Sequence, residues 1–285
     1  MRFHERIVEN IFLICAGIVV LGVAIISIFI FREGWTVISK TGIADFVFGK
    51  KWAPTQGIYG IFPMILGSIY VTLGALMIGV PIGVGCAIYL AEIASPRLSA
   101  IIKPGIELLA GIPSVIYGLY GMTVIVPIIR DLFNNQGFSI LAGSIVLGIM
   151  ILPTITNISM DSIEAVPKEY KEGSLALGSS HWQAIIKVIL PAAKSGIISS
   201  IILGMGRAIG ETMAVIMITG NSTLIPESIL SPARTLTGNI GIEMGYASGE
   251  HQRALFATGI VLFIFIMILN LMTKLIPNKA GENIE

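Results

Sequence analysis

Six long apolar stretches, separated by more polar segments of varied length, make up about half of the chain. They run over about 9–31, 64–91, 104–129, 138–160, 197–219 and 254–276, and each matches or exceeds the roughly 20 residues with which an α-helix crosses a hydrocarbon core. Inside that core the backbone finds no water to bond, so such stretches are predicted helices. Pro63, Pro81, Pro113 and Pro127 interrupt the second and third, with glycines beside them, which blurs the helix ends there. The pattern predicts an all-α polytopic membrane protein, a single transmembrane domain over 1–285 with a polar loop at 161–196.

That loop has a pattern of its own. Pro167 suits the start of a helix, where its missing N–H costs nothing, and Tyr170, Ser174 and Leu177 recur at helical spacing among Lys168, Glu169, Lys171 and Glu172. Gly178 is the predicted stop. Ser180 and Gln183 have the spacing of a capping box, and Trp182, Ile185, Ile186 and Ile189 fall on one face of the helix after it. The loop is predicted as helix, glycine turn, helix. Helices of about ten residues are marginal in water, so both need a surface: the bilayer face or a docked partner.

Composition narrows the class. The sequence is 54% hydrophobic and 12% charged, with a mean hydropathy of +0.88, against about 25% charged in soluble domains. A formal net charge of +1 offers no basic excess to neutralise phosphates along a duplex, which excludes nucleic acid as a partner. Cys15 and Cys86 both fall in apolar stretches, so neither a disulfide nor a metal site is expected. The opening stretch, 7–31, exceeds the apolar core of about 7–15 residues in a secretory signal and is expected to remain as a span. Gly79-xxx-Gly83 and Gly206-xxx-Gly210 fit close helix packing. No G-x-x-x-x-G-K-[ST] run occurs, so ATP would have to be held by another chain.

The fifth stretch carries a costly pair of charges. Arg207 lies about ten residues past its start, about 15 Å deep at 1.5 Å per residue, the middle of a roughly 30 Å core. Glu211 follows one turn later on the same face, where the two can pair. An arginine at the bilayer centre costs at least about 2.5–3.5 kcal/mol, so a function is expected of it. Guanidinium stays charged and presents a planar fork of donors suited to tetrahedral oxyanions. An anion path is one explanation, with Glu211 as counter-charge of the empty state. A closed Arg207–Glu211 pair that fixes packing, or a contact across a subunit interface, are the others.

The spacing of Glu172, Gly178, Val188, Leu190 and Pro191 resembles the EAA loop of importer-type ABC transporter permeases, with Gly173-Ser174 where that family more often has two alanines. The runs GRAIGETMAV at 206–215, ELLAGIPSVIYG at 107–118 and RTLT at 234–237 are similar to the PstC type of permease subunit in phosphate-specific ABC importers. The resemblance implies the type I importer permease fold with six transmembrane helices and a cytoplasmic coupling helix seated in a groove of an ATPase. It implies Glu172, Gly173, Leu177 and Gly178 at that contact, and Arg207 and Glu211 on the phosphate path. It further implies two copies of the ATPase, which bind ATP and Mg, a homologous second permease, and an extracytoplasmic phosphate-binding protein. The chain itself would be non-catalytic and hold no cofactor or metal. It would sit in the cytoplasmic membrane of a bacterium or archaeon with both termini in the cytoplasm, an orientation that the loop demands and a weak positive-inside bias accompanies.

Other readings compete. An arginine fork does not by itself separate phosphate from sulfate, molybdate or tungstate. A secondary transporter would be expected to show inverted repeats. An intramembrane enzyme would need a convergent catalytic set, whereas His4, His181 and His251 all lie outside the apolar stretches. Glu107 lies one turn after Lys103, so a surface ion pair is the plain expectation and a gate contact to the second permease the other. Trp35, Trp52 and Trp182 are expected to anchor in the membrane interface. Lys40, Lys50 and Lys51 in the first loop, 32–62, are solvated charges or help to receive the binding protein.

Overall fold

The structure, a computed structural model, describes the backbone of residues 2–274 and the side chains of residues 8–271. Within it six helices are long and apolar enough to cross a membrane: Val8–Thr41, Phe62–Ile93, Ser114–Phe133, Ile140–Glu164, His181–Gly210 and Gly249–Leu271, hereafter the first to sixth spans. The fifth differs most from the expected limits, beginning at His181 and ending at Gly210, and the third is next. Residues 96–111 form a separate helix, Pro96–Gly111, with no buried residue. The backbone then turns extended at Ile112 (ψ 126°) and Pro113 (ψ 141°) before the span begins. The cause is local: Pro113 clashes with a helical Ile112, so the helix stops one residue short. The Tyr117 hydroxyl closes the break by donating to the Leu109 carbonyl at 2.7 Å.

Proline also explains two of three widened turns. π-helical turns at Tyr89–Ile93, Gly121–Ile125 and Ile185–Ile189 stand just ahead of Pro96, Pro127 and Pro191. The helix continues through Pro127 and Pro191, which have no N–H to give and whose rings crowd the preceding turn, so it widens there; Pro96 instead opens the next helix, where its missing N–H costs nothing.

The fourth span is the axis of the bundle: its most apolar window is 67% buried, against 0% for the first span. The second span approaches it through glycine. A Cβ added at Gly74, Gly79 or Gly83 would fall 2.1 Å from Ser144, 2.8 Å from Ile151 and 2.9 Å from Ile155 respectively. The fifth span packs on the other side, with Gly204 against Ile155, Gly196 against Ser162, and the Ser159 and Ser200 hydroxyls bonded at 2.8 Å. These three spans form one block around Leu147, Met150, Ile151 and Ile155. Gly79 and Gly83 thus serve close packing, as expected. Gly206 and Gly210 do not: an added Cβ meets nothing within 4 Å at either, and the helix ends at Gly210.

The first span packs on the sixth through edge-on ring pairs, Phe29 with Phe256 and Phe31 with Phe263. Between the first and second spans a two-stranded hairpin, Trp52–Ala53 with Ile58–Tyr59, closes one end of the bundle over Phe46, Ile61, Leu236 and Leu255. Trp52 is buried, at 7% exposure, and is therefore no interfacial anchor, whereas Trp35 and Trp182 are more than half exposed.

The glycine contacts predict an asymmetric tolerance. Gly83→Leu drives a branched side chain into buried Ile155 and is expected to cost about 1–3 kcal/mol or more, while Gly206→Ala leaves stability unchanged. Unfolding midpoints of the two purified variants in detergent check this; equal midpoints would contradict the packing described.

Candidate functional site

The polar loop folds as helix, turn and helix. Lys168–Ala176 is helical directly after Pro167, and none of its residues is buried. Gly178 takes φ +87°, a left-handed conformation that glycine adopts without strain. The turn is closed by the Gly178 N–H on the Leu175 carbonyl at 2.9 Å and by the Ser174 and Ser179 hydroxyls at 2.7 Å. The capping box of Ser180 and Gln183 is complete. The helix it starts continues through the π turn into the fifth span, so the expected single apolar face divides. Ile185 and Ile189 are buried among Ala87, Leu90, Met160 and Ile163, while Trp182 and Ile186 stay exposed.

Glu172, Gly173, Leu177 and Gly178 are all exposed, and Leu177 is 91% exposed. Tyr170, Leu175 and Trp182 add apolar surface nearby. The loop is fastened to the body at Glu92, which closes the second span: Lys171 Nζ lies 2.5 Å from its carboxylate, and His181 Nε2 lies 3.3 Å from its carbonyl. Glu92 escaped the sequence reading because a lone acid at a span end looks like a solvated charge.

The fifth span ends differently from the expectation. The helix stops at Gly210, and Glu211 is extended (ψ 133°). Its carboxylate accepts the Ala214 N–H at 3.1 Å, capping the short helix Met213–Ile218, and its carbonyl accepts the Thr237 hydroxyl at 2.7 Å. Among the described residues neither Arg207 nor Glu211 joins an ion pair, so the closed pair is not formed. The i,i+4 geometry it needs is lost with the helical turn. Arg207 is exposed on the surface of the chain and donates to the Thr154 hydroxyl at 3.4 Å. Thr154 is the fifteenth residue of the fourth span, about 21 Å from its start and about 15 Å from its end at 1.5 Å per residue. Arg207 therefore lies at mid-depth by a measure independent of its own helix.

Glu107 is exposed on Pro96–Gly111. The expected pair with Lys103 is not made, because Lys103 bonds Glu164 at the end of the fourth span at 2.8 Å. At the opposite end of the bundle a buried carboxylate gathers three donors. Glu243, which ends the helix Leu236–Glu243, accepts from Trp52 Nε1 at 2.9 Å, Arg234 at 2.5 Å and His251 Nε2 at 2.7 Å. Arg234 also donates to the Asn239 side chain and the Asn221 carbonyl, each at 3.0 Å. Burial, then the charge of Glu250, raises the Tyr59 hydroxyl above its ordinary range while Lys40 acts against them, so at neutral pH Tyr59 adds no charge to this end.

Comparison with known proteins points one way. The profile of the binding-protein-dependent transport system inner membrane component matches residues 79–280. A probable ABC transporter permease protein, YqgH, of Bacillus subtilis is 41% identical over 272 residues, covering 91% of this chain and 88% of the relative. A phosphate transport system permease protein PstC of Haemophilus influenzae is 34% identical over 304 residues, covering 98% and 96%. Among solved structures, the inward-facing MetNI methionine ABC transporter superposes with a TM-score of 0.58 over 79% of this chain and 96% of that one, at 19% identity. An amino acid ABC transporter chain gives 0.54 over 74% and 90%, also at 19% identity. The fold is that of an ABC importer permease.

The buried cluster at Glu243 makes a stability prediction. Glu243→Ala leaves Arg234, whose side chain is 14% exposed, without its anion and is expected to cost up to about 3–5 kcal/mol, the range for breaking one side of a buried pair. Denaturant unfolding of the variant measures it, and a loss below the effect of an ordinary surface substitution would contradict the assignment.

Proposed function

Because the chain belongs to the family of binding-protein-dependent transport system inner membrane components, we propose that it is the permease subunit of an ATP-driven importer of inorganic phosphate. Relatives named as phosphate transport permeases align over nearly its whole length, which supports phosphate as the cargo. The observation that carries the reading is Arg207: a permanently charged fork at mid-depth, bonded to one hydroxyl and turned to the surface of the chain. A bare guanidinium there is costly unless an anion or a partner surface comes to it. A homologous second permease closes the path opposite. Glu211 sits beside that path and holds the helix break at Gly210. Glu107, exposed on its own helix, is free to make a gate contact with the second permease.

The chain is a non-catalytic subunit in this scheme and holds no cofactor. ATP and Mg belong to two cytoplasmic ATPase subunits, which dock on the elbow around Glu172, Gly173, Leu177 and Gly178. An extracytoplasmic phosphate-binding protein delivers its cargo at the end closed by Trp52 and Glu243. Both termini then lie in the cytoplasm of a bacterial or archaeal cell, and the permease forms one domain whose elbow is 161–196. ATP binding closes the ATPases and pushes the elbow, the block of second, fourth and fifth spans turns, and Arg207 faces the delivered phosphate. Hydrolysis returns it. The driving force is the higher affinity of nucleotide for the closed state. An importer of sulfate, molybdate or tungstate is the second reading, favoured only by the generality of the arginine fork.

Three experiments test this. Arg207→Ala is expected to bring phosphate uptake to background while the ATPase still copurifies, and normal uptake would end the path assignment. Leu177→Ala combined with Glu172→Ala is expected to release the ATPase during purification, and an intact complex would end the docking assignment. Uptake that sulfate or molybdate in excess competes away would transfer the reading to another oxyanion.

A further inference from the structure

Among the described residues one ion pair joins the elbow helix to the bundle. No residue of Lys168–Ala176 is buried, so packing fixes it weakly. A cavity of about 420 Å³, lined among others by Glu92, Glu164, Lys168, Lys171 and Glu172, lies between it and the body. On the wall of that cavity the Lys171 ammonium meets the Glu92 carboxylate at 2.5 Å, and the side chains are 31% and 10% exposed. The second half of the loop reaches the same residue, through His181 Nε2 on the Glu92 carbonyl. Of the other two acids on the cavity wall, Glu164 is engaged elsewhere, by Lys103, and Glu172 is exposed.

We infer that Glu92 is a positioning residue that ties the elbow to the second span and carries its movement toward Arg207, an inference that rests on the transport function proposed above. Apolar contact resists separation only in proportion to the area it buries, which is small for a helix with no buried residue. A shielded ion pair resists separation as well as compression, and a reciprocating lever needs both strokes. From Glu92 the route is short and stiff. The π turn Tyr89–Ile93 places Leu90 and Ala87 in the cluster with Ile163 and Ile189. One turn further, Gly83 presses on Ile155, whose neighbour Thr154 holds Arg207. A displacement of Glu92 is therefore passed through close-packed backbone to the residue that meets the anion.

The test uses the complete complex, with second permease, ATPases and binding protein, in proteoliposomes. The quantity read is phosphate imported per ATP hydrolysed. Glu92→Gln and Lys171→Met are expected to keep the ATPase bound and hydrolysing while the ratio falls about fivefold or more, the lower end of site-to-site coupling. Lys171→Arg is expected to keep the ratio, because it keeps the charge. An unchanged ratio in Glu92→Gln, or Lys171→Arg failing as badly as Lys171→Met, overturns the role of Glu92.

A second readout needs no cargo. Spin labels at Ala176→Cys on the elbow and Tyr89→Cys on the second span are placed in a background without Cys15 and Cys86. They should hold one separation with and without ATP when Glu92 is present, and two separations in Glu92→Gln. A single separation in both overturns the inference. A wild-type complex that hydrolyses ATP without importing phosphate would instead sink the cargo assignment, leaving the label distances to decide the role of Glu92.

Discussion

Close approach of the second span to the fourth is the constraint on which the other features depend. Gly74, Gly79 and Gly83 let the two backbones come together where any larger residue would collide with Ser144, Ile151 or Ile155. In hydrocarbon there is no solvent-driven force between apolar helices, so association rests on this kind of van der Waals fit and on a few hydroxyl bonds such as that of Ser159 with Ser200. The consequence is a block of three spans with little internal freedom. It fixes the depth of Arg207 through Thr154, and it makes a displacement at Glu92 a displacement of the whole block.

The polar chemistry is concentrated where the block meets other parts. At one end Glu243 joins three separate stretches of chain through Trp52, Arg234 and His251. The helix that ends at Glu243 also reaches the break beside Arg207, through the Thr237 hydroxyl on the Glu211 carbonyl. At the other end Glu92 receives both halves of the elbow. Each end thus has one carboxylate that collects the loops, and the mid-depth arginine lies between them. An importer that must be addressed from both faces of a membrane needs such fixed points, because unsupported loops would absorb the motion instead of passing it on.

Much of this was legible in the sequence. Apolar length gave six helices, since hydrocarbon admits no alternative for backbone of that composition. Gly178 and the pairing of Ser180 with Gln183 were readable because capping depends on neighbours in sequence. The misses share a cause: they depend on partners far along the chain. Glu211 spaced four from Arg207 looked like an ion pair until the helix ended at Gly210 and its carboxylate turned to Ala214. Glu107 and Lys103 had the right spacing too, but Glu164 comes closer in space. Trp52 had the placing of an interfacial anchor and is buried on Glu243 from 191 positions away. The break at Pro113 was visible as an interruption, yet only the extended Ile112 shows that a separate helix precedes the third span.

The central claim is that this chain is a passive path for an anion, moved from its elbow by a separate ATPase. The most direct measurement is phosphate entry into sealed vesicles that contain both permeases and the binding protein, made with and without the ATPase subunits and ATP. Entry is predicted only when both are present. Phosphate accumulation in vesicles that lack the ATPase would contradict it.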